Sequence, residues 1–158
     1  MKGMNQDLRR IRLLLGLVAF GLFLSGVTIW PAYAELSWLS NASGGLPPLQ
    51  AWILRCLTGL EETGKAYPFL LYAGDWLAFA HIMLAVLFLG AMRDPVRNRW
   101  IVEFGLISCL AIIPLALICG PLRGIPRFWQ AVDCSFSLFA GLPLWLALRA
   151  IRRLEKQT

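Results

Sequence analysis

The sequence predicts an all-α integral membrane protein, with four transmembrane helices in an antiparallel bundle. One external amphipathic helix is expected in the long connection between the first two spans. Three observations lead there: long apolar runs, the placement of Lys and Arg, and Pro/Gly turns between the later runs. The chain has 158 residues and is 58% hydrophobic. With a mean hydropathy of +0.65, it exceeds a soluble domain of this size, in which about half the residues are apolar. The length leaves no room for a separate soluble module, so residues 1–158 are read as one domain.

Four runs, approximately 11–30, 73–92, 100–119 and 128–148, match the roughly 20 residues needed to cross a hydrocarbon core about 30 Å thick. Backbone groups in lipid must be satisfied internally, so each run is expected to be helical. With the N-terminus inside, eleven basic residues fall on the cytoplasmic side: Lys2, Arg9, Arg10, Arg12, Arg93, Arg97, Arg99, Arg149, Arg152, Arg153 and Lys156. Only Arg55, Lys65, Arg123 and Arg127 fall outside. This positive-inside bias places both termini in the cytoplasm. The size and topology suit a bacterial inner membrane.

The elements follow in order. The first span carries Gly21 and Ser25, a small-xxx-small pair suited to close helix packing or dimerisation. "PAYAE" (31–35) resembles an A-x-A signal cleavage site, but the apolar run before it exceeds the usual 7–15 residues of a signal sequence, so it is read as a span. In "PLQAWILRCLTGLEET" (48–63), Leu49, Trp52, Ile53, Cys56, Leu57 and Leu60 form one helical stripe, starting at Pro47–Pro48. That helix is too short and too charged to span. It is expected along the outer surface or capping the bundle. In "RDPVRNRW", Asp94 is expected to cap the third span with Pro95 at its first position, giving a tight hairpin. "GPLRGIPR" is a similar turn, with Pro126 opening the fourth span. Pro114 and Pro143 free carbonyls near residues 110 and 139. Glu103 is expected to pair with Arg93, Arg97 or Arg149, or to reach water. The seven tryptophans form the two aromatic belts of a membrane bundle.

The formal charge of +6 reports topology rather than nucleic-acid binding, because the basic residues sit at the ends of the apolar runs. The four cysteines form neither a CxxC nor a Cys/His cluster, which argues against a dithiol redox pair or structural zinc. Cys56 and Cys119 both fall outside and could form a disulfide. With one histidine, a haem held by two histidines is excluded. No metal site or cofactor is expected.

One polar constellation points to function. "GDWLAFAH" (74–81) places Asp75 about two residues below the external boundary and His81 roughly 12 Å deep. Arg127 and Asp133 occupy matching depths on the fourth span, which suggests pairs Asp75–Arg127 and His81–Asp133. A turn of about 240° separates the two members on each helix, so they do not share a face. Such residues are either polar glue between helices or a site. As a site, Asp75, His81, Arg123, Arg127 and Asp133 would line an external pocket, with Gln130, Ser135 and Ser137 nearby. The arginines could grip a phosphate or carboxylate. His81 and Asp133 are the candidates for proton transfer. The expected ligand is an amphipathic anionic small molecule or lipid head group. The alternative is a structural or assembly subunit that meets another membrane protein, or its own copies, through its lipid-facing surfaces. Neither reading specifies a reaction.

Overall fold

In the computed structural model, which describes residues 2–156 with side chains from Met4 onward, every element is helical and no described residue is in a strand. The order is α1 (Lys2–Val27), α2 (Ala32–Ala42), α3 (Pro47–Ala66), a 3-10 turn (Pro68–Leu71), α4 (Tyr72–Arg93), α5 (Arg99–Leu122) and α6 (Arg127–Glu155). Met1, Gln157 and Thr158, and the side chain of Lys2 with its place in the charge count, lie outside the described residues. Four segments are long and apolar enough to cross a membrane: Met4–Val27, Pro68–Arg93, Arg99–Leu122 and Arg127–Glu155. Even the shortest, at 24 residues, reaches about 36 Å at 1.5 Å per residue. The chain is therefore a multi-pass membrane protein by helix length and composition.

Helices α4 and α5 begin and end within one to three residues of the expected spans. Helices α1 and α6 run further toward the chain ends, because their helical periodicity persists into the basic flanks. Ile11 is fully buried while Arg9, Arg10 and Arg12 are exposed. Ala150, Ile151 and Leu154 are buried between exposed Arg149, Arg152 and Arg153. A window tuned to apolar runs does not register such amphipathic extensions. Helix α2 was not expected. Its N-cap is Pro31, and Glu35 in its first turn complements the helix dipole.

The chain divides into two compact units, one of Met1–Gly21 with Leu84–Thr158 and one of Leu22–Met83. In the first, α5 and α6 form an antiparallel hairpin. Arg99 meets Glu155, Gly105 meets Leu144, Ser137 meets Cys109, and Gly120 meets Gln130, so contacts on α6 recede as α5 advances. The core is made by Ile11 and Leu15 of α1, Phe88 of α4, Val102 of α5, and Leu144 and Ile151 of α6. A Cβ at Gly105 would fall 2.8 Å from Phe88 Cζ and 2.9 Å from Leu144 Cδ1, so the missing side chain lets three helices converge.

An ion cluster closes one end of this unit. Arg99 donates to Glu155 at 3.1 Å and pairs with Glu103 at 3.1 Å, while Arg152 reaches Glu103 at 3.5 Å. The expected partners of Glu103 were wrong. The i,i+4 spacing brings Arg99 to it, the hairpin register brings Arg152, and Arg149 instead lies 4.6 Å over the Trp145 ring. The expected cap is also corrected. Asp94 Oδ1 accepts the Arg97 N–H at 3.1 Å, and Asn98 donates to the Asp94 carbonyl at 2.9 Å, so the pair closes a turn before α5 begins at Arg99.

In the second unit, α2 packs on α3. Gln50 donates to the Ser40 carbonyl at 3.4 Å and Ser43 to the same oxygen at 3.1 Å. Ile53 is fully buried. The whole Leu49–Leu60 stripe is buried or half-buried, whereas Arg55, Thr58, Glu61 and Glu62 are exposed. The end of α1 packs on the start of α4 through Gly26, where a Cβ would sit 2.8 Å from the Ala78 carbonyl oxygen. Gly21 has open space around its would-be Cβ and Ser25 is exposed, so the small-residue contact falls at Gly26 instead. The Gly26→Ala variant should lose about 1–3 kcal/mol through overpacking, while Gly21→Ala should stay within about 0.5 kcal/mol of the parent. Thermal unfolding of the two variants in one detergent measures the difference.

Candidate functional site

The five expected site residues fall in both units. Asp75 and His81 belong to Leu22–Met83, and Arg123, Arg127 and Asp133 to the other, so each group is described within its own unit.

In the Leu22–Met83 unit, Asp75 lies in the first turn of α4 and is exposed. It borders a cleft of about 520 Å³. Apolar walls come from Ile29, Leu60, Leu70 and Leu71, and polar groups from Tyr33, Glu61 and Lys65. Lys65 Nζ donates to Glu61 Oε1 at 2.7 Å. That hydrogen bond, with the carboxylate's charge, pushes the ammonium above the ordinary lysine range. Asp75 makes no ion pair within its unit. The same carboxylate borders a second hollow of about 270 Å³ with Tyr72, Trp76 and Phe79. There the Trp76 ring meets Tyr72 and Phe79 edge-on, at centroid distances of 6.0 and 5.9 Å.

His81 is half-buried, and its Nδ1 lies 2.9 Å from the Leu77 carbonyl oxygen one turn back. A carbonyl only accepts, so Nδ1 is the donor in this contact. Helix α4 thus satisfies one ring nitrogen of its own histidine. Cys56 on α3 is half-buried, and burial pushes its thiol above the ordinary range. All four cysteines are free thiols, including Cys56 and Cys119.

In the other unit, Arg123 and Arg127 are exposed at the two ends of the α5–α6 turn. That turn is a Schellman motif. Gly124 adopts φ 67°, its N–H bonds Pro121 O at 3.1 Å, and the Ile125 N–H bonds Gly120 O at 2.9 Å. Buried Gln130 locks it by donating to Ile125 O at 2.8 Å. The Gln130 side chain fills the space that a Cβ on Gly120 would need, 2.9 Å away. Ser137 donates to Cys109 O at 2.7 Å and Ser135 to Val132 O at 2.6 Å. These three side chains, expected beside a ligand, therefore spend their donors on the protein backbone. Asp133 is half-buried and, among the described residues of its unit, makes no ion pair.

Sequence reasoning missed the Glu61–Lys65 pair, although the i,i+4 spacing in "LEETGKA" carries that signal. It also missed Tyr33, whose helix was unforeseen. Among the described residues, no three of His, Cys, Asp and Glu cluster as a metal site requires. No family model, curated protein or solved structure matches the chain.

Replacing Gln130 by Leu should cost about 1–3 kcal/mol, the penalty of leaving a buried carbonyl without its donor. The loss should appear as faster amide exchange at residues 123–125 by mass spectrometry, with the ends of α5 and α6 protected as before.

Proposed function

We propose that this chain binds an amphipathic molecule, a lipid head group or a small amphiphile, in the cleft bordered by Asp75. The reading rests on one observation: charged groups and apolar walls share a volume of about 520 Å³ in a protein built for a membrane. Pockets that combine apolar walls with a few polar groups are the ordinary form of a small-molecule site. Two carboxylates, Asp75 and Glu61, and one ammonium, Lys65, line this cleft. A head group with a positive charge beside its anionic one suits that balance. The aromatic faces of Tyr72 and Trp76 next to Asp75 add affinity for a cation. A purely anionic ligand keeps its support at the other unit's turn, where Arg123 and Arg127 stay exposed on a locked backbone.

The topology belongs to the same proposal. The four spans form an antiparallel bundle with cytoplasmic termini in a bacterial inner membrane, and α3 lies along the external surface. Support comes from the eleven-to-four distribution of basic residues and from the burial of the α3 stripe.

A second reading has its own observation. Gln130 and Ser137 bond backbone groups, and His81 bonds its own helix. Polar residues used in this way suit a structural or assembly subunit whose lipid-facing surfaces meet another membrane protein.

Native mass spectrometry of the full chain, released from nanodiscs of its host's lipids, separates the two. Binding predicts a retained small mass that is lost in Asp75→Ala, an exposed position where folding should be unaffected. Assembly predicts a mass shared with another protein and no difference in that variant. Retention of the small mass by Asp75→Ala would sink the cleft as the binding site. Carrying Arg127→Ala and His81→Ala through the same measurement reports whether those residues contribute.

A further inference from the structure

A different hollow, in the unit that holds both chain ends, is independent of the Asp75 cleft. It encloses about 360 Å³ and is lined by Asn5, Leu8, Arg9, Arg12, Leu13 and Met92. Arg12 Nε donates to the Met92 carbonyl at 3.1 Å. Met92 is the penultimate residue of α4, so this oxygen is one of those a helix leaves without an intrahelical partner. The bond satisfies it and fixes the guanidinium plane, while both terminal amino groups remain available. Arg9 lies one turn earlier on the same helix, and among the described residues neither arginine is in an ion pair. Asn5 adds a neutral amide donor, and no carboxylate is among the described residues that line the hollow.

The apolar part of the lining decides what kind of anion fits. Leu8, Leu13 and Met92 supply it. From it, Leu13, Leu17 and Phe20 follow at i, i+4 and i+7 along α1, exposed by 67, 59 and 62%. A soluble phosphate has no use for such a track. An acyl chain would lie along it.

We infer that the α1–Met92 hollow is a binding site for an anionic phospholipid, its phosphate held by Arg9 and Arg12 and its acyl chain running along Leu13, Leu17 and Phe20. Two guanidiniums over one phosphate give charge-assisted, bidentate hydrogen bonding. Basic pockets between transmembrane helices are a recurring mode of phospholipid head-group recognition.

The test titrates the full detergent-solubilised chain with phosphatidylglycerol, and separately with phosphatidylcholine, reading bound lipid by native mass spectrometry. Phosphatidylglycerol should be retained in preference to phosphatidylcholine. Arg9→Gln and Arg12→Gln should each weaken its retention about fivefold, the attraction of one basic residue for an anionic lipid surface. Arg9→Gln leaves the Arg12–Met92 bond in place, so its effect does not depend on the packing of α4. Circular dichroism of each variant confirms that the helices persist. Equal retention of the two lipids, or unchanged phosphatidylglycerol binding in Arg9→Gln, would overturn the proposal. Displacement of the lipid by inorganic phosphate would overturn the lipid assignment in favour of a site for free phosphate.

Discussion

In a chain dominated by apolar helices, the scarce resource is a donor for each backbone carbonyl that the helices leave free. Hydrocarbon supplies none, and an unsatisfied group there costs several kcal/mol. Several of the polar side chains described above donate to backbone carbonyls. Arg12 bonds Met92 O at the end of α4, Gln130 bonds Ile125 O in the α5–α6 turn, Ser137 bonds Cys109 O across the hairpin, and Gln50 bonds Ser40 O between α2 and α3. The polar residues of this protein read first as backbone donors. Asp75, Arg9 and the exposed arginines of the α5–α6 turn make no such bond, and they are the residues that the proposals above assign to ligands.

Packing follows a second rule, also imposed by lipid. Because apolar side chains gain little by leaving hydrocarbon, helices associate by approaching closely, and small residues permit that. Gly26 lets α1 meet the α4 backbone, Gly105 admits Phe88 and Leu144, and Gly120 makes room for Gln130. At the end of the hairpin the logic changes. Arg99, Glu103, Arg152 and Glu155 are only partly buried, and such pairs contribute about 1 kcal/mol or less each. The register of α5 against α6 is what brings Arg99 to Glu155 and Arg152 to Glu103.

The spans, the helix at 47–66 and its buried stripe were legible because length and periodicity are properties of a single segment. Partners were less legible. The α5–α6 register decided that Glu103 meets Arg152, and register depends on two helices at once. The small-residue contact was misplaced for a similar reason. Gly21 and Gly26 look alike along the chain, and only the position of α4 distinguishes them. Asp94 was read as a helix cap because the turn that intervenes before Arg99 has the same composition as a helix start. At the candidate site, Asp75 stood out by its charge in an apolar segment. Its neighbours Tyr33, Glu61 and Lys65 come from the long connection, where the stripe over 48–63 predicts a helix but not what its polar face meets.

The spacing of the contacts along the chain also sets a timetable for synthesis. Gly120 and Gln130 are ten residues apart, so their hairpin can close almost as soon as it is made. Arg12 must wait for Met92, eighty positions later. At about 5–20 residues per second, the growing chain leaves α1 without that partner for roughly 4–16 s. During that interval the first helix sits in the bilayer with its arginines at one end and an open Gly26 notch at the other. The hollow lined by Arg9, Arg12 and Met92 is complete only when the fourth helix arrives.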